Sequence, residues 1–422
     1  MAVTILITFF VFLVLGIPIS MVVLLSSLVG ILAYSDVPPL ILIQQLFNGL
    51  DKFVILAVPF FILAGGIAAQ GDTARRLVEL MNIVFGRLRG GLAIATIYAC
   101  AFFAAISGSS LATVVAIGTI MVPGLVNAGY PKSMATGIIA SAGSLGVLIP
   151  PSAPLVLICV AMNTSVGRQF MAGFLPGILI ATVLSIYVLI RSRKLGIKRR
   201  DKYTFPQILR ILKDSILALL FPVIVLGGIY GGFTTPTEAA AVSLIYILII
   251  ELFFYKKVKF RDLTKALANA AATGGALTFI IASAGVFTWF MTTQQVPALI
   301  ATTIQSIIHT KAMFLASLIL FLFVAGCFMD LISMTLVLGP ILIPTLALFE
   351  LDLIHFGIIA ITSAEVQSFC DHECDGRTVR VCGEVHDALY VHLPRNGCGA
   401  RVYSGDFTYF TGPVLQVTST FC

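Results

Sequence analysis

Three small constellations in an otherwise apolar chain carry residue types suited to holding an ion or an organic anion. The first is Ser107, Gly108, Ser109 and Ser110 with Thr113, set in "GLAIATIYACAFFAAISGSSLATVVAIGTIMVPGL" (Gly91 to Leu125). The second is "SAGSLGVLIPPSAPLVLI" (Ser141 to Ile158), where Gly143, Gly146, Pro150, Pro151 and Ser152 interrupt a run that otherwise could cross a bilayer. The third, "FLFVAGCFMDLISMTLVLGPILIP", holds Gly326, Asp330, Ser333 and Thr335.

The chemistry follows from the apolar context. Arms of about sixteen residues around a small polar centre are short for a full crossing, which predicts a re-entrant hairpin whose tip stops at mid-membrane. A helix interrupted at that depth exposes carbonyls, hydroxyls and the positive end of its second arm, a set able to hold a sodium ion and a carboxylate. Adjacent prolines remove donors and clash with the preceding turn, so Gly146 to Pro151 predicts a broken helix beside the hairpin. A carboxylate at membrane depth is costly, which makes Asp330 a candidate ion-binding residue. The competing structural readings are that small hydroxyl residues let helices pack closely, and that Asp330 caps the second arm of its hairpin or reaches water at its mouth.

"GGFTTPTEAAA" reads as structural: the pair Gly231 and Gly232 precedes a helix start, where Thr235 can cap, Pro236 fits the first turn, and Glu238 suits the positive end. No glycine loop with lysine for nucleotide, no Ser/His/Asp set and no metal-spaced His/Glu pair occurs in the body of the chain. A non-enzymatic protein follows, with no cofactor beyond sodium as a coupling ion and energy drawn from an ion gradient.

These residues need a scaffold, and composition supplies one. The chain is 59% hydrophobic and 11% charged, with a mean hydropathy of +1.06, against roughly 25% charged residues in a soluble domain. Long apolar runs recur from Val3 to Ala33, Phe53 to Ala69, Met134 to Met162, Phe170 to Ile190, Ile216 to Tyr230 and Ala239 to Phe254. An all-α polytopic membrane protein is the expectation. The first run has no basic flank or small-residue cleavage site and reads as a retained span, either one long bent helix or two divided at Gly16-Ile17-Pro18. The formal net charge of +7 sits in short connections, so lipid headgroups rather than nucleic acid are its expected partners.

Arg191 to Lys213 is the longest basic stretch and, with Lys256 to Lys265 and Arg75 to Arg89, is placed in the cytoplasm; Asp36 to Asp51 is placed outside. "IGTIMVP" (Ile117 to Pro123) returns as "LGPILIP" (Leu338 to Pro344), and "MATGIIA" (Met134 to Ala140) as "IHFGIIA" (Ile354 to Ala360). A fainter echo links "LAGG" (Leu63 to Gly66) to "ASAG" (Ala282 to Gly285). The common offset of about 220 residues, with corresponding connections on opposite sides, predicts an inverted repeat of the kind that secondary transporters use. The expected division is 1–190 with hairpin 91–125 and broken helix 134–162, a basic linker 191–214, a second repeat 215–362 with hairpin 312–348, and a tail 363–422.

Taken together, "ISGSSLATVVAIG", "GSLGVLIPPSAPLVLI", "GGFTTPTEAAA" and "GCFMDLISMTLVLGPILIP" resemble the signatures of the large permease subunit of TRAP (tripartite ATP-independent periplasmic) transporters, the DctM type. The resemblance implies an elevator-type member of the ion-transporter superfamily in the bacterial inner membrane. It implies import of organic acids such as C4-dicarboxylates or sugar acids by sodium symport, with a small four-helix membrane subunit and a periplasmic substrate-binding protein as partners. It also implies one sodium site between Ser107 to Ser110 and Gly146 to Pro151, and a second to which Asp330 to Thr335 contribute. A stand-alone carboxylate carrier of related architecture is the alternative, as is a non-transporting remnant.

The remnant reading comes from the tail, where a second Pro-Pro break should follow Ala360 and none does. Ala364 to Cys422 instead hold five of the eight cysteines, three of the five histidines and 11 of the 45 charged residues. Cys370, Cys374, Cys382 and Cys398 could ligate zinc but lack paired C-x-x-C spacing, and an extracellular disulfide module is a further reading. The third is a frameshift: the codons for "DFTYFT" (Asp406 to Thr411), moved by one base, can encode a run of isoleucine and leucine, making the second repeat incomplete. The orientation has a direct check. A cysteine placed at Lys198, in a background without the tail cysteines, is expected to resist an impermeant external thiol reagent, and ready labelling would overturn the assignment.

Overall fold

A computed structural model describes residues 2–34, 37–197, 203–326 and 329–374. The tail cysteines Cys370, Cys374, Cys382 and Cys398, and the readings built on them, lie outside the described side chains. The first apolar run folds as two helices, α1 (Ala2–Val14) and α2 (Ile19–Tyr34). Gly16 takes a left-handed φ of +75° between them, which glycine adopts without a steric cost. Thr4 Oγ1 and Tyr34 OH lie 2.6 Å apart, so the pair folds back on itself rather than forming one bent helix.

The chain continues through α3 (Leu40–Leu50), a 3-10 turn at Phe53–Leu56 that runs into α4 (Ala57–Gln70), and α5 (Thr73–Phe85). Then come α6 (Gly91–Ser107), α7 (Ser110–Asn127), α8 (Lys132–Gly143), the single turn α9 (Leu145–Leu148) and α10 (Ala153–Met162). The long helices α11 (Val166–Lys194) and α12 (Phe205–Tyr230) flank the basic linker. The second half holds α13 (Pro236–Ile249) with a π-helical end at Ile250–Phe254, α14 (Phe260–Thr293), α15 (Val296–Ile307), α16 (Lys311–Gly326), α17 (Leu331–Leu348) and α18 (Leu353–Cys374). Among the described residues, six helices are long and apolar enough to cross a membrane, and a seventh candidate is the α8–α9/α10 pair, bent by 42°. Exposed Leu175, Ile178, Leu179, Val183, Ile186 and Ile190 stud α11, the pattern of a helix that faces lipid rather than water.

The repeat is visible in the element order. Helices α6, α7 and α8 begin at Gly91, Ser110 and Lys132, and α16, α17 and α18 at Lys311, Leu331 and Leu353, a steady offset of about 220 residues. Two elements escape the reading by hydropathy. Residues 36–51, expected to be a connection, contain α3, which packs along α14. Helix α14 itself spans 34 residues and is apolar enough to cross a membrane, although alanine, glycine and threonine are interspersed among its larger apolar residues. The two cross closely enough that a Cβ on Gly285 would lie 3.1 Å from the Cα of Gly49. The faint "LAGG"/"ASAG" echo therefore serves different neighbours, since Gly65 of the first copy meets the backbone of Ser107.

One buried acid ties the halves together. Helix α5 is amphipathic, with Leu77, Val78 and Met81 buried and Arg75, Arg87 and Arg89 in or just after it exposed. Its N-terminus has no side-chain cap from its own first turn. The cap comes from Glu251 in the π-helical end of α13, where the extra residue per turn redirects a side chain. The fully buried Glu251 carboxylate accepts from Asp72 N at 3.0 Å, Thr73 N at 3.1 Å and Thr73 Oγ1 at 2.5 Å. Asp72 in turn accepts from Arg76 Nε at 3.0 Å. The Arg76 guanidinium donates to Asp214 O at 2.8 Å and sits 3.9 Å over the Tyr255 ring.

Removing the Glu251 carboxylate leaves two buried N–H groups without partners at a helix end, worth about 1–3 kcal/mol each. Glu251→Ala is expected to lower the melting midpoint of the detergent-solubilised protein by several degrees, with Glu251→Gln intermediate. An unchanged midpoint in both variants would show that water can substitute for the cap.

Candidate functional site

The hairpin α6–α7 and the broken helix α8–α9–α10 meet backbone to backbone. At the tip, α6 ends on Gly108 with φ +59°, and α7 starts at Ser110 from an extended Ser109. A Cβ on Gly108 would lie 2.8 Å from Pro151 O, and one on Gly146 would lie 2.6 Å from Ser109 O and 2.8 Å from Ser110 N. Gly65 on α4 is pressed equally close, with Ser107 O 2.5 Å from where its Cβ would be. Gly143 meets the Val114 side chain of α7 in the same way. Three elements thus approach one tip through glycines, since any side chain would hold the carbonyls apart.

The hydroxyls are held inside this junction. Ser107 and Thr113, both buried, share a hydrogen bond of 2.9 Å between their hydroxyl oxygens. Thr113 Oγ1 donates to Ser109 O at 2.9 Å, and Ser107 Oγ lies 3.3 Å from the same carbonyl. Buried Ser152 donates to Val147 O at 2.6 Å and so closes the end of α9 across Pro150 and Pro151. Two helix C-termini, at Ser107 and Leu148, and two N-termini, at Ser110 and Ala153, therefore converge on one volume. The last carbonyls of a helix lack intrahelical partners and carry partial negative charge, and the first N–H groups carry the opposite sign. Such a junction can hold a cation against the carbonyls and an anion against the N–H groups.

The second hairpin differs. Its arms touch each other little; both lie on α18, and α17 also packs against α10, α14 and α15. Asp330 is exposed and accepts from the N–H groups of Ile332 at 3.0 Å and Ser333 at 3.2 Å, capping α17. Thr335 donates back to Leu331 O at 2.9 Å. The Ser333 hydroxyl is buried and has no hydrogen-bond partner among the described residues. Gly326 ends α16. In the Gly231 to Ala241 segment, Gly232 takes φ +72°, and Thr235 and Glu238 form a reciprocal cap at the start of α13 with Pro236 at the first position. Gly231, Gly232 and Glu238 are exposed and hold no place at the first hairpin's tip.

Sequence reasoning passed over Glu365, which it left in the tail. Helix α18 carries this residue to the first hairpin, where Ser110 Oγ donates to Glu365 Oε1 at 3.0 Å. The available signal was an acid at the end of the apolar run Leu353 to Ala364, a placement that in a membrane protein marks a functional candidate.

Among the described residues, the all-helical bundle with its apolar spans and broken-helix junction is that of a multi-pass membrane protein. The model of the "Tripartite ATP-independent periplasmic transporter, DctM component" family matches residues 6–370, and the chain belongs to that family. It is 38% identical over 365 residues to the C4-dicarboxylate TRAP transporter large permease protein DctM of Rhodobacter capsulatus, covering 83% of each chain. It is also 38% identical over 362 residues to the isethionate TRAP transporter permease protein DctMQ of Oleidesulfovibrio alaskensis, covering 85% of this chain and 56% of that one. Among solved structures, the Alcanivorax borkumensis YdaH transporter shares the fold at a TM-score of 0.58 and 13% identity, over 98% of both chains.

The glycine contacts set a clear expectation. Gly146→Ala inserts a methyl group against the Ser109 carbonyl, a clash that costs about 1–3 kcal/mol if the tip can shift. Its melting midpoint should fall, while Gly137→Ala, which opens onto free space in the same broken helix, should not lower it. Equal midpoints for the two would mean that the junction is loose.

Proposed function

We propose that this chain is the translocating subunit of a sodium-coupled importer of small organic anions, of the C4-dicarboxylate or sugar-acid class, in the bacterial inner membrane. It works with a small four-helix membrane subunit and takes its cargo from a periplasmic binding protein. The observation that carries this reading is the junction itself: carbonyl-bearing helix ends and N–H-bearing helix ends packed together by Gly65, Gly108 and Gly146. Opposite partial charges at one depth suit a cation and an anion that travel together. The names of two relatives point the same way, since a C4-dicarboxylate and isethionate are both small anions. The name of the second joins the M and Q components, which agrees with a small membrane partner.

In this scheme Ser109 and Ser110 border the ion, Ser107 and Thr113 hold the tip's shape, and Gly146 to Ser152 supply the facing backbone. The second hairpin, through Asp330, Ser333 and Thr335, contributes to a second ion position, with the Asp330 carboxylate fixing the start of α17 rather than the ion.

The test is uptake of radiolabelled succinate, and of a sugar acid in parallel, into proteoliposomes holding both membrane subunits. Uptake should need an inward sodium gradient and the binding protein. Ser109→Ala/Ser110→Ala should raise the sodium concentration for half-maximal uptake about tenfold, the range of coupling energies seen between linked sites. Uptake that ignores sodium would sink the symport reading. Uptake without the binding protein would favour a stand-alone carrier, and none under any condition would favour a remnant.

A further inference from the structure

A polar cluster that neither hairpin tip includes sits in a gap between helices. Helices α11 and α12 touch each other little, since α11 packs on α6, α9 and α18, and α12 on α5 and α13. Between the starts of α11 and α18 and the end of α12 lies a cavity of about 920 Å³, within the size range of small-molecule pockets. Because α11 ends in the basic stretch Arg191, Arg193 and Lys194, placed in the cytoplasm, the cavity belongs to the outer side. Arg168, Tyr230, Asp352 and His355 line its outer end, and Met171, Leu175 and Ile358 line it deeper in. The order repeats on both walls: one face of α11 runs from Arg168 through Met171 to Leu175, and one face of α18 from His355 to Ile358. Polar groups thus give way to apolar ones over about 10 Å along the helices.

The polar end is fixed in place and uncommitted. Buried Gln169 donates from Nε2 to Ile354 O at 3.2 Å, so the first turns of α11 and α18 form one edge. Arg168 and His355 are exposed, and among the described residues neither forms an ion pair. Asp352 uses Oδ1 to accept from Ile354 N at 3.2 Å, and a carboxylate's second oxygen can accept from a further donor. Beyond Leu175, exposed Ile178 and Leu179 continue the apolar wall down the lipid-facing side of α11.

We propose that this gap holds a phospholipid of the outer leaflet whose headgroup carries both a phosphate and a primary ammonium. Arg168 and His355 donate to the phosphate oxygens, the bonding for which a guanidinium is shaped, and Asp352 accepts from the ammonium. Tyr230 marks headgroup depth, where tyrosine rings settle, and one acyl chain lies along Met171, Leu175 and Ile358. A headgroup with a phosphate but no amine would set its charge beside Asp352 unanswered, and a free phosphate would leave the apolar wall unused. The opposite side of α11 meets the broken helix, where a Cβ on Gly173 would lie 2.4 Å from Leu148 O and one on Gly177 2.8 Å from Ile149 Cγ1. The lipid therefore backs the helix against which the first site is built.

The experiment follows the melting midpoint of the purified full-length chain, stripped of lipid in detergent and titrated with phosphatidylethanolamine in mixed micelles. Phosphatidylglycerol and water-soluble glycerophosphoethanolamine are titrated in parallel. Phosphatidylethanolamine should raise the midpoint saturably, and at a lower mole fraction than phosphatidylglycerol. Arg168→Ala should raise the half-saturating mole fraction about tenfold, the loss of one charge-assisted hydrogen bond. Arg210→Ala, at an exposed position near the other end of α12, should leave the titration unchanged. Asp352→Asn keeps the helix cap and should erase the preference over phosphatidylglycerol. His355→Gln, on the other wall, should weaken binding in the same direction, and it decides alone if Arg168→Ala does not fold. No stabilisation of the wild type, or an equal response to the two lipids, would overturn the inference. So would saturation by glycerophosphoethanolamine alone, which would make the ligand a free headgroup, and so would an equal loss in Arg168→Ala and Arg210→Ala, which would make the lipid contact unspecific. Unchanged titrations in both Arg168→Ala and His355→Gln would overturn it as well.

Discussion

Inside a bilayer no water is present to satisfy a backbone group, and this chain breaks its helices there nonetheless. Everything at the first site follows from how that conflict is resolved. The breaks at Gly108 and at Ile149 to Ser152 are pressed onto each other, with Gly65 and Gly146 removing the side chains that would keep them apart. Hydroxyls of Ser107, Thr113 and Ser152 take up nearby carbonyls. What remains unanswered is small and polar, centred on half-buried Ser109 and Ser110 beside buried Ser107 and Ser152, and irregular backbone at membrane depth is tolerated only against protein or a water-lined cavity. The site is thus the residue of a packing problem that glycine solves almost completely.

Sequence reading went furthest where the chemistry is local. Gly, Ser and Pro are conspicuous in an apolar run, so the tip at Ser107 to Ser110 and the break at Gly146 to Pro151 were legible, and so was the repeat offset that α16, α17 and α18 display. The reading went less far at α3, a short helix inside an expected connection, and at the 34-residue α14, whose apolar residues are interspersed with alanine, glycine and threonine. It failed where partners are remote. Nothing near Thr73 announces that its cap is Glu251, 178 positions away, and nothing near Ser110 announces Glu365. Asp330 caps α17, the structural alternative that its residue type already offered, from a position two and three residues ahead of free N–H groups.

The two hairpins are alike in sequence position and unlike in packing. The first is clamped by glycines on α4 and α9, and its hydroxyls are satisfied. The second has arms that touch each other little and a buried Ser333 hydroxyl without a partner among the described residues. Repeats that began with one design can thus hold their polar tips by different means, one through close backbone contact and one through a capped helix end.

The trans cap on α5 bears on how the molecule is made. Helix α5 leaves the ribosome long before Glu251 does, so its first turn waits with two N–H groups unanswered. Those groups are answered only after the basic linker, α12 and α13 have been synthesised. Chains join such remote partners late, because loop closure must be met before the contact forms. The first half therefore stays unfinished at one end until the second half arrives, and the final locking of α5 reports that both halves have been inserted side by side.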